Sequence, residues 1–455
     1  MKTKIEAPIE KNEQRQFEIT DLSYDGLGVT KIDHYPIFVS DALPGEIVEA
    51  VVTKVGQKYG FAKTKKILKK SADRVTVENR QYTQTGIAPL QHLAYPAQLQ
   101  FKQKQVENVF QKAQLAINVL PTLGMSDPTH YRNKAQIPVR NLNGQATVGF
   151  FRKRSHQLVP MTDFFIQDPE IDKAIAALQS IIRRLAIEPY DEIRHTGVLR
   201  NIMVRRGYYS HELMLVLVTR STKLASAKTL IAMIQSEIPE VTSVIQNINP
   251  SKGNAILGKT QKVLWGKPVL RDELLGLQFD ISPLSFYQVN PQQTQVLYQK
   301  AIDVADLQGT ETVIDAYSGI GTIGLSMAKH VKAVKGIEVV EDAVKDARHN
   351  AKLNGITNAE FTLGKAETVM LTWQAEGLQA DVVVVDPPRK GLAPEFIEAV
   401  GKVAPEKVVY ISCNPATLAR DLTLFGAQGY TAKETQPVDM FPMTTHVESV
   451  TLLTK

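Results

Sequence analysis

The sequence predicts an α/β protein built in three parts, and three observations lead there. From about residue 277, apolar runs (TVIDAYSG, AVKGIEVV, AEFTLG, DVVVVDPP, KVVYIS) end in polar or Gly/Pro residues and alternate with helix-like segments. That rhythm marks a parallel sheet with helices on both faces. Residues 8 to about 68 instead hold five short β-rich runs (QFEITDL, GLGVTKI, YPIFVS, EIVEAVVTKV, GFAKTKKIL) punctuated by DG, YP, LPG and YG, which suits a small barrel of OB type. Between them, residues 121 to about 270 mix strands and helices. A length of 455 residues agrees with three units of roughly 150 residues each. We divide the chain as 1–70, 71–270 and 271–455.

Composition narrows the class. At 43% hydrophobic and 22% charged residues the chain is too apolar for disorder. Its one cysteine, Cys413, excludes an internal disulfide and a zinc site with several thiolates. No apolar stretch follows the first residues, MKTKIEAPIEKNEQRQ, and LMLVLV and VVVV fall far short of the ~20 residues a membrane helix needs. No membrane partner and a cytoplasmic location are expected. The net charge of +6 suggests a polyanionic partner. Between Val51 and Arg74 eight basic residues stand against one acid, Asp73, which reads either as a solvated face or as a phosphate-binding surface.

In chain order, Ser71–Leu93 is turn-rich. Tyr95–Gln114 turns helical, with Leu99, Val106 and Val109 on one stripe and Lys102, Gln103 and Glu107 elsewhere, and it is a candidate to pack on the last unit. VRNLNGQATVGFFRKRSH reads as a hairpin turning at Asn143-Gly144. IDKAIAALQSIIRRL is an amphipathic helix, and LRNIMVRRG and ELMLVLVT read as paired strands. Basic clusters fall at Arg152, Lys153 and Arg154 and at Arg200, Arg205 and Arg206. GYTAKETQPVDMF and HVESVTLLTK read as a closing antiparallel pair.

Four motifs carry chemistry. In VIDAYSGIGTIG a strand ends near Asp315, and Gly319, Gly321 and Gly324 follow at G-x-G-x-x-G spacing, which lets backbone approach a nucleotide-like ligand. The next strand ends at Glu338, placed to accept from ribose hydroxyls. In VVVVDPPRKG, Asp386 ends a buried strand before a stiff Pro-Pro loop; it contacts a ligand there or caps the next helix. In VVYISCNPATLARD, Cys413 follows a strand and precedes a helix, a position that lowers a thiol pKa. In VDMFPMTTHVESV, Glu448 lies in an apolar strand where burial raises a carboxyl pKa, and His446 alternates onto the same face.

These motifs, together with FYQVN (Phe286–Asn290), resemble the RNA 5-methyluridine methyltransferases of the TrmA/RumA class, and the likeness covers essentially the whole chain. It is most similar to the bifunctional members that act on 23S ribosomal RNA. The resemblance implies a class I S-adenosylmethionine methyltransferase (Rossmann-like) domain, an N-terminal TRAM barrel that binds RNA, and a central α/β domain. It implies that Cys413 is the nucleophile and Glu448 the proton acceptor, that Gln288, Tyr317, Glu338 and Asp386 contact S-adenosylmethionine, and that the substrate is a flipped or looped-out uridine of ribosomal RNA. A monomer is expected. Met443 stands where the family more often has Gln or His. Many relatives hold a [4Fe–4S] cluster through three cysteines upstream of a QxH segment and a fourth further on. Here Leu90-Gln91-His92 persists, but Asn79, Thr85, Ala88 and Phe164 occupy the cysteine positions, so no iron–sulfur cluster is expected. An amino-group methyltransferase leaves Cys413 without a role, and so does a nicotinamide dehydrogenase. A non-catalytic RNA-binding factor does not explain an intact Cys413 and Glu448.

Overall fold

The computed structural model describes residues 7–77, 81–153 and 155–455; Asn79 and Arg154 lie outside them. The first sheet has six strands: β1 (Gln14–Glu18), β2 (Asp21–Leu22), β3 (Gly28–Ile32), β4 (Tyr35–Ser40), β5 (Ile47–Val55) and β6 (Gly60–Lys69), in the order β1-β5-β6-β4-β3-β2. One continuous run closes it. Ile19 N–H donates to Glu46 O while Thr20 N–H donates to Val29 O, so the segment from β1 to β2 pairs with both edges. Ile37, Val39, Val48, Ala50 and Val52 alternate inward to fill the barrel.

After α1 (Gln81–Thr85), α2 (Tyr95–Lys112) and the two-residue β7 (Asn118–Val119), a seven-stranded sheet forms from β8 (Lys134–Leu142), β9 (Gln145–Phe151), β10 (Leu158–Pro160), β11 (Leu199–Arg206), β12 (Leu213–Thr219), β13 (Val241–Ile248) and β14 (Thr260–Gly266). Helices α3 (Pro169–Arg184) and α4 (Ala227–Glu237) cover it. The hairpin turn is at Asn143 (φ 52) and Gly144 (φ 82), two left-handed residues as a tight two-residue turn demands. Around the positions that the resemblance assigns to cluster cysteines, Ala88 is buried, Phe164 stacks edge-on against Phe150 at 4.7 Å, and the Tyr82 hydroxyl donates to Asp163 O at 2.8 Å. Side-chain packing fills that region.

A hairpin, β15 (Leu270–Leu274) and β16 (Leu277–Ile281), leads to α5 (Pro291–Ala305) and the last sheet. Its elements are β17 (Thr312–Ala316), α6 (Thr322–Met327), β18 (Ala333–Glu338), α7 (Glu341–Leu353), β19 (Ala359–Leu363), α8 (Ala366–Ala375), β20 (Val382–Val385), α9 (Pro394–Val403), β21 (Lys407–Ser412), α10 (Pro415–Ala427), β22 (Thr431–Val438) and β23 (Glu448–Thr454). The order is β19-β18-β17-β20-β21-β23-β22-β7, with β17 to β21 parallel and β23 antiparallel to both neighbours. The chain builds outward from β17 to β19, then returns to build β20 and β21 on the other side. A crevice therefore opens between the ends of β17 and β20, the usual ligand position in such sheets.

Helix α2 corrects one sequence expectation. It buries Gln98, Lys102, Val106 and Phe110, a row at i+4 spacing, so Lys102 faces inward. Its ammonium pairs with Asp439, both side chains being 0% exposed, and also donates to Phe441 O at 3.0 Å. The Tyr95 hydroxyl donates to the second Asp439 oxygen at 2.9 Å, and the Gln98 side chain accepts from Met443 N–H at 2.9 Å. Thus α2, which packs on α10, also clamps the loop leading into β23.

Candidate functional site

All five parallel strands end at one edge of the sheet, and β23, running the other way, begins there. Ser412 of β21 is paired with Ser449 of β23, so the next residues in line, Cys413 and Glu448, emerge side by side. Strand topology alone brings these two residues together, with the loops after β17, β18 and β20 around them.

The loop after β17 is braced from below. Asp315, 1% exposed, accepts from Gly324 N–H at 2.8 Å and so pins the start of α6. A Cβ on Gly324 would lie 2.7 Å from that carboxylate, so close packing requires the glycine, while Gly321 (φ +86) needs its left-handed backbone. A Cβ on Gly319 would meet nothing within 4 Å: the backbone there borders open space. Glu338 closes β18 and accepts from Gly319 N–H at 3.0 Å with one oxygen and from Val339 and Val340 N–H with the other. Val339 and Val340 are 62% and 54% exposed, an apolar rim beside the glutamate. Tyr317 takes φ +72 and leans on Phe396 at 5.6 Å, and the buried Ser318 hydroxyl has no hydrogen-bond partner.

Asp386 faces the same crevice. Burial, and then the neighbouring Asp315, push its carboxyl up to about 7; burial and Glu338 do the same to Asp315. The Tyr298 hydroxyl of α5 lies among Gln288, Asp386, Asp315 and Thr322 and ties the FYQVN segment to the acids. Asp386 caps no helix, because α9 begins only at Pro394 after Ala393. The DPPRKG loop is fastened to α10: Arg389 O accepts from Asn414 Nδ2 at 3.0 Å, and Arg420 Nη2 donates to Lys390 O and Leu392 O at 3.0 and 2.9 Å.

Cys413 departs from expectation. Asn414 caps α10 by accepting from Ala416 N–H at 3.1 Å, and the thiol sits one residue outside that cap. Burial, then the Glu448 and Asp386 carboxyls, push the thiol up to about 12, and Arg389 pulls the other way. Glu448, 5% exposed, is raised well above the usual carboxyl range by burial and Asp386. Both shifts favour the protonated forms of the pair. His446 does not share a strand face with Glu448. It lies in the loop before β23, its Nε2 3.4 Å from Arg389 Nη2, and desolvation, Arg389 and Lys102 push it down to about 4.

Some functional candidates escaped sequence reading. Arg389 stands in a quoted motif, yet only its place against Cys413, Glu448 and His446 gives it an electrostatic task. The segment 131–134 lies between two walls of the site: the Tyr131 hydroxyl donates to Pro442 O at 3.1 Å, and Asn133 N–H to Val289 O at 2.9 Å. It brings Arg132 and Lys134 near Arg205, and burial plus those two arginines push Lys134 down to about 7. The Arg200, Arg205 and Arg206 cluster, by contrast, is no surface patch. Arg200 is buried over the Tyr190 ring at 4.4 Å, Arg205 donates to Ser282 O and Ser285 O, and Arg206 pairs with Asp168 at 2.8 Å. In the barrel, Lys54, Lys58, Lys63, Lys65, Lys66, Lys69 and Lys70 are all exposed, whereas Arg74 is held by Glu46 and Asp41.

Comparison with known proteins identifies the class. A TRAM domain model matches residues 11–65. The chain belongs to the tRNA (uracil-5-)-methyltransferase family, whose model matches residues 94–455. It is 55% identical over 450 residues to an uncharacterized RNA methyltransferase of Enterococcus faecalis, covering 98% of each chain, and 55% identical over 452 residues to one of Lactiplantibacillus plantarum, covering 99% of each. The structure is similar to that of Pyrococcus abyssi tRNA (uracil-54, C5)-methyltransferase in complex with S-adenosyl-L-homocysteine, with a TM-score of 0.78 and 28% identity over 96% of this chain and 100% of that one. The protein is thus an RNA methyltransferase of the uracil-5 class that uses S-adenosylmethionine. The crevice suits that cofactor: an apolar rim for a base, Glu338 for a diol, an unpartnered Ser318 hydroxyl, and the partly buried Asp386 carboxyl for a cationic group. Among the described residues no helix is long and apolar enough to cross a membrane.

Proposed function

We propose that the protein methylates carbon 5 of uridine in 23S ribosomal RNA through a covalent adduct on Cys413. The observation that supports this best is the adjacency of Cys413 and Glu448 at the sheet edge. Carbon 5 of uracil is a poor nucleophile. Cys413 first gives up its proton to solvent; attack of the thiolate on carbon 6 forms a C–S bond and moves the π electrons toward carbon 5 as an enolate. S-adenosylmethionine supplies the methyl group to that carbon as an electrophile. Glu448, as its carboxylate, then takes the proton from carbon 5, the electron pair restores the 5,6 double bond, and the C–S bond breaks to release Cys413 as a thiolate. Gln288, Tyr317, Glu338 and Asp386 hold the cofactor, and Arg389 stabilises negative charge on sulfur. Residues 1–70 and 71–270 grip RNA and 271–455 carry out the chemistry, in a cytoplasmic monomer without an iron–sulfur cluster. The ribosomal preference rests on the likeness to the bifunctional 23S type, RlmCD. The structural likeness to a tRNA methyltransferase favours a second reading, transfer RNA as substrate, and mapping 5-methyluridine in both RNAs from a deletion strain separates the two.

The mechanism is tested by adduct trapping. Glu448→Gln incubated with radiolabelled RNA and S-adenosylmethionine should give a protein–RNA band on a denaturing gel, because elimination needs the carbon 5 proton removed. Cys413→Ala should give none and should not methylate. Methylation by Cys413→Ala at near wild-type rate refutes the covalent route; normal turnover by Glu448→Gln moves the base elsewhere.

A further inference from the structure

The outer face of the barrel carries an aromatic cluster that the chemistry above does not use. Along β4, Tyr35, Ile37 and Val39 point inward, which turns Phe38 outward; on β6, Gly60 and Ala62 point inward, which turns Phe61 outward. Strand register aligns Val29, Phe38, Phe61 and Lys54 as one row across four strands. Tyr59, 46% exposed, closes the group. Its ring centroid lies 5.8 Å from that of Phe38 and 5.6 Å from that of Phe61, and the two phenylalanines are 5.7 Å apart. None of the three belongs to the barrel core. Among the described residues, no helix or strand outside this sheet makes more than marginal contact with β4 or β6.

Lysines frame the rings: Lys54 pairs with Phe61, Lys63 with Ser40, Lys31 with Pro36, and Lys58 precedes Tyr59, all of them exposed and none paired directly with an acid, Asp21 standing at the far end of the Lys54 row beyond Val29. Grouped aromatic rings ringed by cations offer flat faces for bases and positive charge for phosphates at once. A double helix keeps its base faces stacked, so the surface fits unpaired nucleotides. The barrel also stands beside the reaction site. A Cβ on Gly26, three residues before Val29, would come within 2.9 Å of Leu90 and 3.2 Å of Thr445, in the loop that leads to Glu448.

We infer that Phe38, Tyr59 and Phe61, with Lys54 and Lys63, form a stacking platform for unpaired bases of the RNA substrate. The inference rests on RNA being the substrate but not on the covalent chemistry. The test uses the full chain and two probes of equal length and charge, an oligouridylate and its abasic counterpart. Tyr59→Ser and Phe61→Leu should weaken oligouridylate binding about five- to a hundredfold for each base lost from the stack, and change abasic binding little. Tyr59→Phe and Phe61→Trp, which keep a ring, should bind as wild type, and melting curves establish that all four variants fold. In turnover, Tyr59→Ser should raise KM for structured RNA and leave kcat unchanged. Equal loss on both probes, or no loss on either, overturns the platform; the second result leaves the face to a protein partner. Failure of the adduct assay alongside probe-specific loss would sink the chemistry and leave the platform standing.

Discussion

Because Cys413 is the sole cysteine, its reactivity can be read without interference from other thiols. Its pKa, raised from 9.0 to about 12, lowers the thiolate fraction near neutrality about a thousandfold. A more basic thiolate is also more nucleophilic, with a Brønsted slope of about 0.4–0.5, which returns roughly twentyfold over three pKa units. Exchange with an aromatic disulfide in the cofactor-free protein should therefore run about fiftyfold slower at pH 8 than with a free cysteine peptide. Partial burial slows the reaction further but does not alter the pH at which the rate levels. That pH is decisive: the rate should keep rising about tenfold per pH unit beyond pH 9, where an ordinary thiol flattens. Removing a neighbouring carboxyl by Asp386→Asn should speed the reaction, and Arg389→Met should slow it. A rate that levels at or below pH 9 would refute the electrostatic account of a dormant thiol.

Lys102→Met should destabilise the fold by about 3–5 kcal/mol, since it strips a buried carboxylate of its cation, while Lys102→Met with Asp439→Leu should cost much less; urea denaturation of both variants reads this. Cofactor affinity should rise about tenfold from pH 6 to pH 8. Asp386, near 7 when free, ionises beside a cationic ligand, so binding releases a proton below its free pKa and ceases to do so above it. Calorimetry in two buffers of different protonation enthalpy measures that proton, and Asp386→Asn should abolish the rise.

The features legible in the sequence were those that short stretches determine. A β run, a turn and a helix start lie within a dozen residues, so Gly319, Glu338, Asp386 and Cys413 could be placed at one sheet edge from the βα rhythm alone. The Asn143-Gly144 turn was legible because few residue pairs tolerate two left-handed positions in succession. What escaped depends on partners distant in sequence. Lys102 looks like a solvated lysine until Asp439, 337 residues away, is brought against it. Arg200 and Arg206 look like a basic patch until Tyr190 and Asp168 take them up. The thiol pKa was misjudged for the same reason. Helix position is local, but the carboxyls that outweigh it come from other strands.

The closing antiparallel pair explains why those carboxyls are there. Glu448 follows Cys413 by 35 residues, and a β23 parallel to β21 would start at the opposite edge, about 20 Å away for six residues at about 3.3 Å each. Reversing one strand places the strand's first side chain beside the last residues of its neighbour, and the clamp from α2 through Lys102 and Asp439 holds the loop that delivers it. The same arrangement crowds Asp386, Glu448 and a thiol around little positive charge beyond Arg389, so all three cannot ionise together. Crowding and burial together favour the protonated forms. A positively charged ligand beside Asp386 offsets that crowding, lets Asp386 ionise, and lowers the cost of a thiolate nearby. In the proposed mechanism, cofactor binding thereby eases formation of the Cys413 thiolate through electrostatics.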